Sequence, residues 1–349
     1  MAATPLFAGS VVTWGSGQTN PPVVLNSVTA ISASTDHVLA LNADGTVTAW
    51  GYDFDGQCDV PSGLNNVAAV SAGAYFSLAL KAGGGVIAWG DNHFGQCHVP
   101  PSLTSVVAVS GGRGHVLALK SDGTVVAWGD NTYGQCDVPS GLANVVAVLA
   151  EWNYSLALRN DGTVSAWGVD DAGQTEVPAG LNGVVALAGN LDYCLAVRSD
   201  GSVVGWGNYP AIPIGVSGIA SVAAGENHVV ALTTGGAITA WGGDESGQTE
   251  VPSALGTATA VAAGWNYSLA LVSGSPAADF TLTGPSWRAG AFTVSVGTQS
   301  GKTYTLEYKN SLSDAAWTTL SPVTGSGGVV TLTDPSAQGA ARFYHVVQQ

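Results

Sequence analysis

The chain has 349 residues, 46% of them hydrophobic and only 9% charged, which is enough apolar material for one large core or two. Its 24 acids outnumber its nine bases, for a formal net charge of −15. That balance excludes nucleic acid as a partner, since phosphate binding needs clustered Lys and Arg. No apolar run reaches the roughly 20 residues of a membrane span.

Met1 to Phe7 carry neither a basic stretch nor an apolar core, so no signal peptide is visible there. The first strand-like run, Ser10 to Gly15, stands alone and ends in Trp14-Gly15. The Trp-Gly pair returns at Trp50, Trp89, Trp128, Trp167, Trp206 and Trp241, at spacings of 36, 39, 39, 39, 39 and 35 residues. A period near 40 with an aromatic signature is the mark of a propeller or solenoid.

Each complete unit carries three short apolar runs. In the third unit they are Val106 to Ser110, His115 to Leu119 and Thr124 to Trp128. The second and third runs are joined by Asp-Gly, as in Ser121-Asp122-Gly123, which predicts a tight hairpin with two positive-φ residues. After Trp-Gly come a Gly-Gln pair (Gly134-Gln135) and Val138-Pro139. Proline confines that segment to an edge strand or a crossing loop. The two short spacings have visible causes. Trp14 reaches Gly17-Gln18 in only three residues, and the unit after Trp206 replaces Gly-Gln with Asn208-Tyr209-Pro210.

The seventh unit has its first two runs, Thr259 to Ala263 and Tyr267 to Leu271, and then stops. Its missing third strand is the one at the N-terminus. The expected fold is therefore all-β: a seven-bladed β-propeller over residues 1–277, closed by the N-terminal strand. After Ser275-Pro276, a short linker, the repeat ends. Phe292/Val294/Val296, Tyr304/Leu306/Tyr308 and Val330/Leu332 alternate with polar residues, predicting a small antiparallel β-sandwich over residues 278–349.

Candidate chemistry divides by slot. His37, His115 and His228 share one position, but Phe76, Tyr154, Tyr193 and Tyr267 fill it elsewhere, and Phe neither ligates nor shuttles protons. The slot reads as structural. Cys58, Cys97 and Cys136 also share one slot, too far apart between units to bridge. Together with Cys194 they are expected as free thiols. The pairs Asp91-Asn92, Asp130-Asn131 and Asp170-Asp171 lack the alternation and closing Glu of a calcium loop and read as Asx turns. No nucleophile elbow, P-loop or zincin motif occurs. No catalytic, metal or cofactor residue is expected, and the chain reads as a non-enzyme.

One face remains. The loop between the first and second strands and the loop after Trp-Gly open on the same side and vary most between units. The first kind carries Tyr75, Arg113, Trp152 and Trp265; the second carries Phe94, Tyr133, Asp170 and Asp171. Twelve of the 24 acids fall in these loops, Asp36 and Glu151 among them, with Arg113 the single base. Trp152 and Trp265 are expected to be exposed, as interface residues are. Two readings stay open: binding of a basic protein through this acidic, aromatic face, or sugar binding with Trp152 and Trp265 as stacking platforms.

The unit resembles the regulator of chromosome condensation repeat family in Trp128-Gly129-Asp130-Asn131 with Gly134-Gln135, and in Gly112 with His115-Val116-Leu117-Ala118-Leu119. The variant Gly173-Gln174-Thr175-Glu176-Val177-Pro178 is similar to that of bacterial β-lactamase-inhibitory propellers. The resemblance implies a seven-bladed propeller with a binding role. The last 70 or so residues resemble β-modules that end bacterial secreted or surface proteins, which implies an extracellular or cell-surface bacterial protein. In the inhibitors an aromatic recurs in the second slot of the strand one-to-two loop. Here that slot reads Asp36, Tyr75, Gly114, Asn153, Asp192, Asn227 and Asn266, so weak or no β-lactamase inhibition is expected.

Overall fold

The structure, a computed structural model, describes residues 9–16, 21, 25, 27–35, 37–253, 255–273, 282–288, 290–298, 301–311, 316–325, 328–337 and 342–348. Asp36, Gly17-Gln18, Met1 to Phe7 and the linker at 274–277 lie outside them. The chain divides into two compact units, Met1–Ser275 and Pro276–Gln349. Among the described residues, no helix is long and apolar enough to cross a membrane.

In the first unit, β1 (Ser10–Gly15) is followed by six consecutive three-stranded antiparallel sheets. They are β2 (Val28–Ala33), β3 (His37–Asn42), β4 (Val47–Gly51); β5 (Val67–Ala72), β6 (Phe76–Lys81), β7 (Val86–Gly90); and β8 (Val106–Gly111), β9 (His115–Lys120), β10 (Val125–Gly129). Next come β11 (Val145–Ala150), β12 (Tyr154–Arg159), β13 (Val164–Gly168); β14 (Val184–Asn190), β15 (Tyr193–Arg198), β16 (Val203–Gly207); and β17 (Ile219–Ala224), β18 (His228–Thr233), β19 (Ile238–Gly242). A seventh sheet takes β20 (Ala258–Ala263) and β21 (Tyr267–Val272) from the end of the unit and β1 from its start. β1 runs antiparallel along all of β21, from Ser10 opposite Val272 to Gly15 opposite Tyr267.

Burial explains the composition of each strand. The middle strand is covered on both faces by neighbouring sheets, so it is a continuous apolar run: His115 to Leu119 are all buried. The Trp of the third strand is buried in every sheet. Its indole nitrogen serves the neighbour: Trp89, Trp128, Trp167 and Trp206 Nε1 donate to the carbonyls of Gln57, Gln96, Gln135 and Gln174, at 2.9–3.0 Å. Trp14 donates likewise to Gln248 at 2.9 Å. The Gln side chains are buried, and their Oε1 atoms accept the amides two residues upstream, as Phe94 N does to Gln96 at 2.9 Å. This double duty is the physical reason for the Gly-Gln pair. Where Asn208-Tyr209-Pro210 replaces it, Trp241 Nε1 is buried with no hydrogen-bond partner among the described residues.

The aromatic slot is structural, and it interlocks the sheets. His37, His115 and His228 Nε2 bond to Ser77, Ser155 and Ser268 Oγ of the following sheet at 3.0, 3.0 and 2.9 Å. Phe76 instead packs in one core with Val116, and Tyr193 with Val229. Tyr154 Oη stands 3.4 Å from Cys194 Sγ and donates to the carbonyls of Asn190 and Tyr193. Tyr267 packs with Val38 and donates to the carbonyls of Ser34 and His37 in the first sheet. Each ring thus faces a residue of another sheet, 36 to 40 positions on for His37, Phe76, His115, Tyr154, Tyr193 and His228, and back in the first sheet for Tyr267.

One feature differs from expectation and a second goes beyond it. The Asp-Gly hairpins place only glycine at positive φ (Gly45, Gly123, Gly162, Gly201). Lys120 N bonds to Thr124 O and Gly123 N to Lys120 O. The loop therefore has three residues, and its Asp accepts the amide two residues on, Thr124 N to Asp122 Oδ1 at 3.0 Å. A three-residue loop needs one left-handed residue, not two. The first and second strands of every sheet also shift register by one residue, as between Val106 and Ala108. The extra residue of such a bulge points outward, which is why Val107, Val146 and Val185 are more than half exposed.

In the second unit, β22 (Leu282–Arg288), β23 (Ala291–Gly297) and β27 (Val329–Asp334) form one sheet. In the other, β24 (Thr303–Lys309) pairs with β25 (Thr318–Thr319), β26 (Val323–Thr324) and β28 (Phe343–Gln348). Val294, Val296 and Leu332 from the first sheet and Tyr304 and Leu306 from the second share one core. Asp334, buried at its edge, accepts from Tyr344 Oη at 2.9 Å and Ser336 N at 2.9 Å and is paired with Arg342.

Candidate partner-binding face

The two loop types share a side because the second is hung on the first. Asp91 N donates to Tyr75 O at 2.9 Å and Asp130 N to Gly114 O at 2.8 Å, and the same bond recurs in other sheets. Tyr75, Phe94 and Arg113 come from three different loops and line one cleft of about 350 Å³ with Asp55, Asp91 and His93. Phe94 crosses Gly114, where an added Cβ would stand 2.8 Å from the ring, and His93 meets it edge-on with centroids 5.2 Å apart. Phe94 and Tyr133 are exposed. So is Phe54, at 83% the most exposed ring on this face, stacked on Tyr52. Its position in a loop after Trp-Gly was the signal for it.

Trp152 and Trp265 are half-buried, not exposed. They pack edge to face, centroids 5.7 Å apart, and the Arg113 guanidinium covers Trp152 at 5.6 Å. The loop tips turn inward because backbone bonds tie each to the next sheet: Arg113 N to Trp152 O, Glu226 N to Trp265 O and Trp265 N to Thr35 O, at 3.0–3.2 Å. All seven sheets contribute residues to a cavity of about 160 Å³ below these rings, with Ser32, Ser71, Ser110, Leu149 and Glu151 on its wall.

The acids divide by role. Asp53, Asp170 and Asp244 Oδ1 accept the amides of Cys58, Thr175 and Thr249 five residues on, at 2.7–2.8 Å. They are exposed but shape their own loops. Asp171 is exposed beside Asp170. Asp130 is buried, its Oδ1 accepting from Thr132 N at 3.0 Å. The expected Asx turns form at Asp91, which accepts from His93 N at 3.0 Å, and at Asp130, but not at Asp170, whose carboxylate is taken by Thr175 N. Among the described residues, no three His, Cys, Asp or Glu side chains stand close enough to hold a metal ion. The four cysteines are free. Burial, and then neighbouring aspartates, push the Cys58, Cys97 and Cys136 thiols up to about 12, 11 and 12, which keeps them protonated.

Strands of three per sheet, a Trp in each and a loop face over a common cavity define a propeller-type repeat protein. The regulator of chromosome condensation (RCC1) repeat matches residues 28–57, 67–96, 106–135 and 219–248, each from the first residue of a sheet to the buried Gln. The chain carries RCC1 repeats. Solved structures with the same fold include Prp20p from Saccharomyces cerevisiae, described with its binding to Gsp1p and histones. It is 20% identical with a TM-score of 0.62, over 77% of this chain and 92% of that one. Human WBSCR16 is 20% identical, with a TM-score of 0.63, over 76% and 100%. The ectodomain of the Arabidopsis thaliana receptor kinase ACR4 is 20% identical, with a TM-score of 0.57, over 71% and 92%. No curated protein matches the chain.

Proposed function

We propose that this chain is a non-enzymatic, protein-binding propeller of seven blades, its ring closed by β1, which grips a basic protein partner with the loop face. The observation that carries the reading is the cleft where Tyr75, Phe94 and Arg113 converge with Asp55 and Asp91. Aromatic anchors beside carboxylates suit a basic surface, with the rings supplying affinity and the acids on-rate. Tyr133, Asp171 and Phe54 extend the patch, and Asp170 contributes charge while holding its loop. The yeast structure of the same fold is of a protein that binds proteins. The sugar reading is the weaker one, since Arg113 already covers Trp152 and Trp265 packs edge-on against it. We further place the protein outside the cell or at its surface, in a bacterium, with residues 278–349 as a β-sandwich module. Weak or no β-lactamase inhibition follows from the single aromatic, Tyr75, left in the inhibitors' slot.

The test is affinity capture from the source's secreted proteins at low salt, with the full chain and with a Tyr75→Ala/Phe94→Ala variant as bait. The expected result is a basic protein held by the wild type, released by the double substitution and weakened as salt rises. Retention indifferent to both overturns the reading.

A further inference from the structure

The central cavity holds one group that the repeat does not require. Three residues before each slot aromatic, four sheets have glycine: Gly73, Gly112, Gly225 and Gly264. A Cβ there would run into the rings of Phe76, His115, His228 and Tyr267, respectively. The fourth sheet places Glu151 at this position. Its side chain passes Gly189, where a Cβ would stand 3.1 Å from Glu151 Cγ. Among the described residues, no protein donor hydrogen-bonds its carboxylate and no base pairs with it. Arg113, the base at the rim, lies over Trp152 instead. Loss of hydration in the cavity holds the Glu151 carboxyl well above the usual carboxylate range. Glu151 is half-buried, and a carboxylate that has lost part of its hydration without a partner gains from a cation that joins it.

The rest of the wall suits one kind of cation. Ser32, Ser71 and Ser110 line three successive sheets, and each hydroxyl already accepts one amide of the next sheet, from Ala72, Gly111 and Ala150 at 2.9–3.0 Å. A hydroxyl keeps a second lone pair. Leu149 continues the wall with an apolar surface, and Trp152 and Trp265 form the rim. Indole rings attract cations and tolerate methylenes. A volume of 160 Å³ equals about five waters at ~30 Å³ each, room for a straight four-carbon chain but no folded element. We propose that this cavity binds an extended primary ammonium group, a lysine side chain or a free alkylamine, with Glu151 as counter-ion. The site deepens the basic-partner reading and rests on it only for the protein-borne source.

The experiment is a saturation-transfer NMR titration of the full chain with n-butylammonium, using 1-butanol as the neutral control. Saturable binding of the cation alone is expected, weakened at least about tenfold in Glu151→Gln. Glu151→Gln is nearly isosteric and breaks no hydrogen bond or ion pair among the described residues, so its melting temperature at pH 7 should be no lower than that of the wild type. The Tyr75→Ala/Phe94→Ala variant, which tests the partner face, should bind n-butylammonium normally, so the two readings fail separately. A short peptide with one Lys, against its norleucine analogue, assigns the source: binding of the Lys form indicates a protein partner, and its failure while n-butylammonium binds indicates a free amine. Equal uptake of 1-butanol and n-butylammonium, or unchanged affinity in Glu151→Gln, overturns the proposal.

Discussion

At the scale of single residues, the indole nitrogens make a controlled comparison. Trp128 and Trp241 occupy the same buried slot, but Trp128 Nε1 donates to Gln96 O at 2.9 Å while Trp241 Nε1 has no such acceptor among the described residues. Replacing Trp by Phe removes the same atoms from both. At Trp128 it also strands a buried carbonyl, whereas at Trp241 it relieves an unsatisfied donor. Trp128→Phe should cost on the order of 2 kcal/mol in urea unfolding, and Trp241→Phe about 1 kcal/mol less. Equal costs would show that the Gln carbonyl contributes nothing.

At the scale of elements, the ring-to-neighbour pairs join consecutive sheets. Burial lowers the His37, His115 and His228 pKa values from 6.5 to about 4. The unfolded chain takes up these protons near pH 6.5, and the folded chain only near 4. Stability is therefore full above pH 6.5 and is lost as pH falls toward 4. The Phe76–Val116 pair shows how to remove this dependence. The double substitution His115→Phe/Ser155→Val should stay within about 1 kcal/mol of the wild type at pH 7 and lose less stability down to pH 4. Ser155→Val alone leaves a buried imidazole nitrogen unpaired and should cost about 1–3 kcal/mol. The midpoint of thermal unfolding at several pH values, in a double-mutant cycle, reads both effects.

At the scale of the whole molecule, β1 is the long-range element. Its six residues pair with β21, and Trp14 reaches Gln248. Deleting residues 1–16 removes a buried Trp and opens an edge, and should lower the melting temperature by about 10 °C and broaden the transition. An unchanged transition would mean that the seventh sheet needs no third strand. The two units have separate cores, so ending the chain at Ser275 should leave the melting of the first unit unchanged. A large fall would show that the second unit supports the first.

The sequence by itself determined the repeat, the three runs per unit, the split seventh unit and the side on which the variable loops lie. These follow from local chemistry: a fixed spacing, apolar periodicity, and Gly and Pro at chain reversals. It also marked Tyr75, Phe94, Arg113 and Tyr133, because residues that vary on a constant frame stand out. Only the tertiary structure decided what each side chain faces. The sequence shows His115 and Ser155 40 residues apart, but their bond exists because neighbouring sheets present the two slots to each other. In the same way, Trp152 and Trp265 read as exposed in isolation. They are half-buried because backbone bonds between loop tips turn them over a cavity that residues of all seven sheets line. Glu151 counted as one more surface acid until that cavity formed around it. Burial and partnership are properties of surfaces brought together by folding, and no local pattern encodes them.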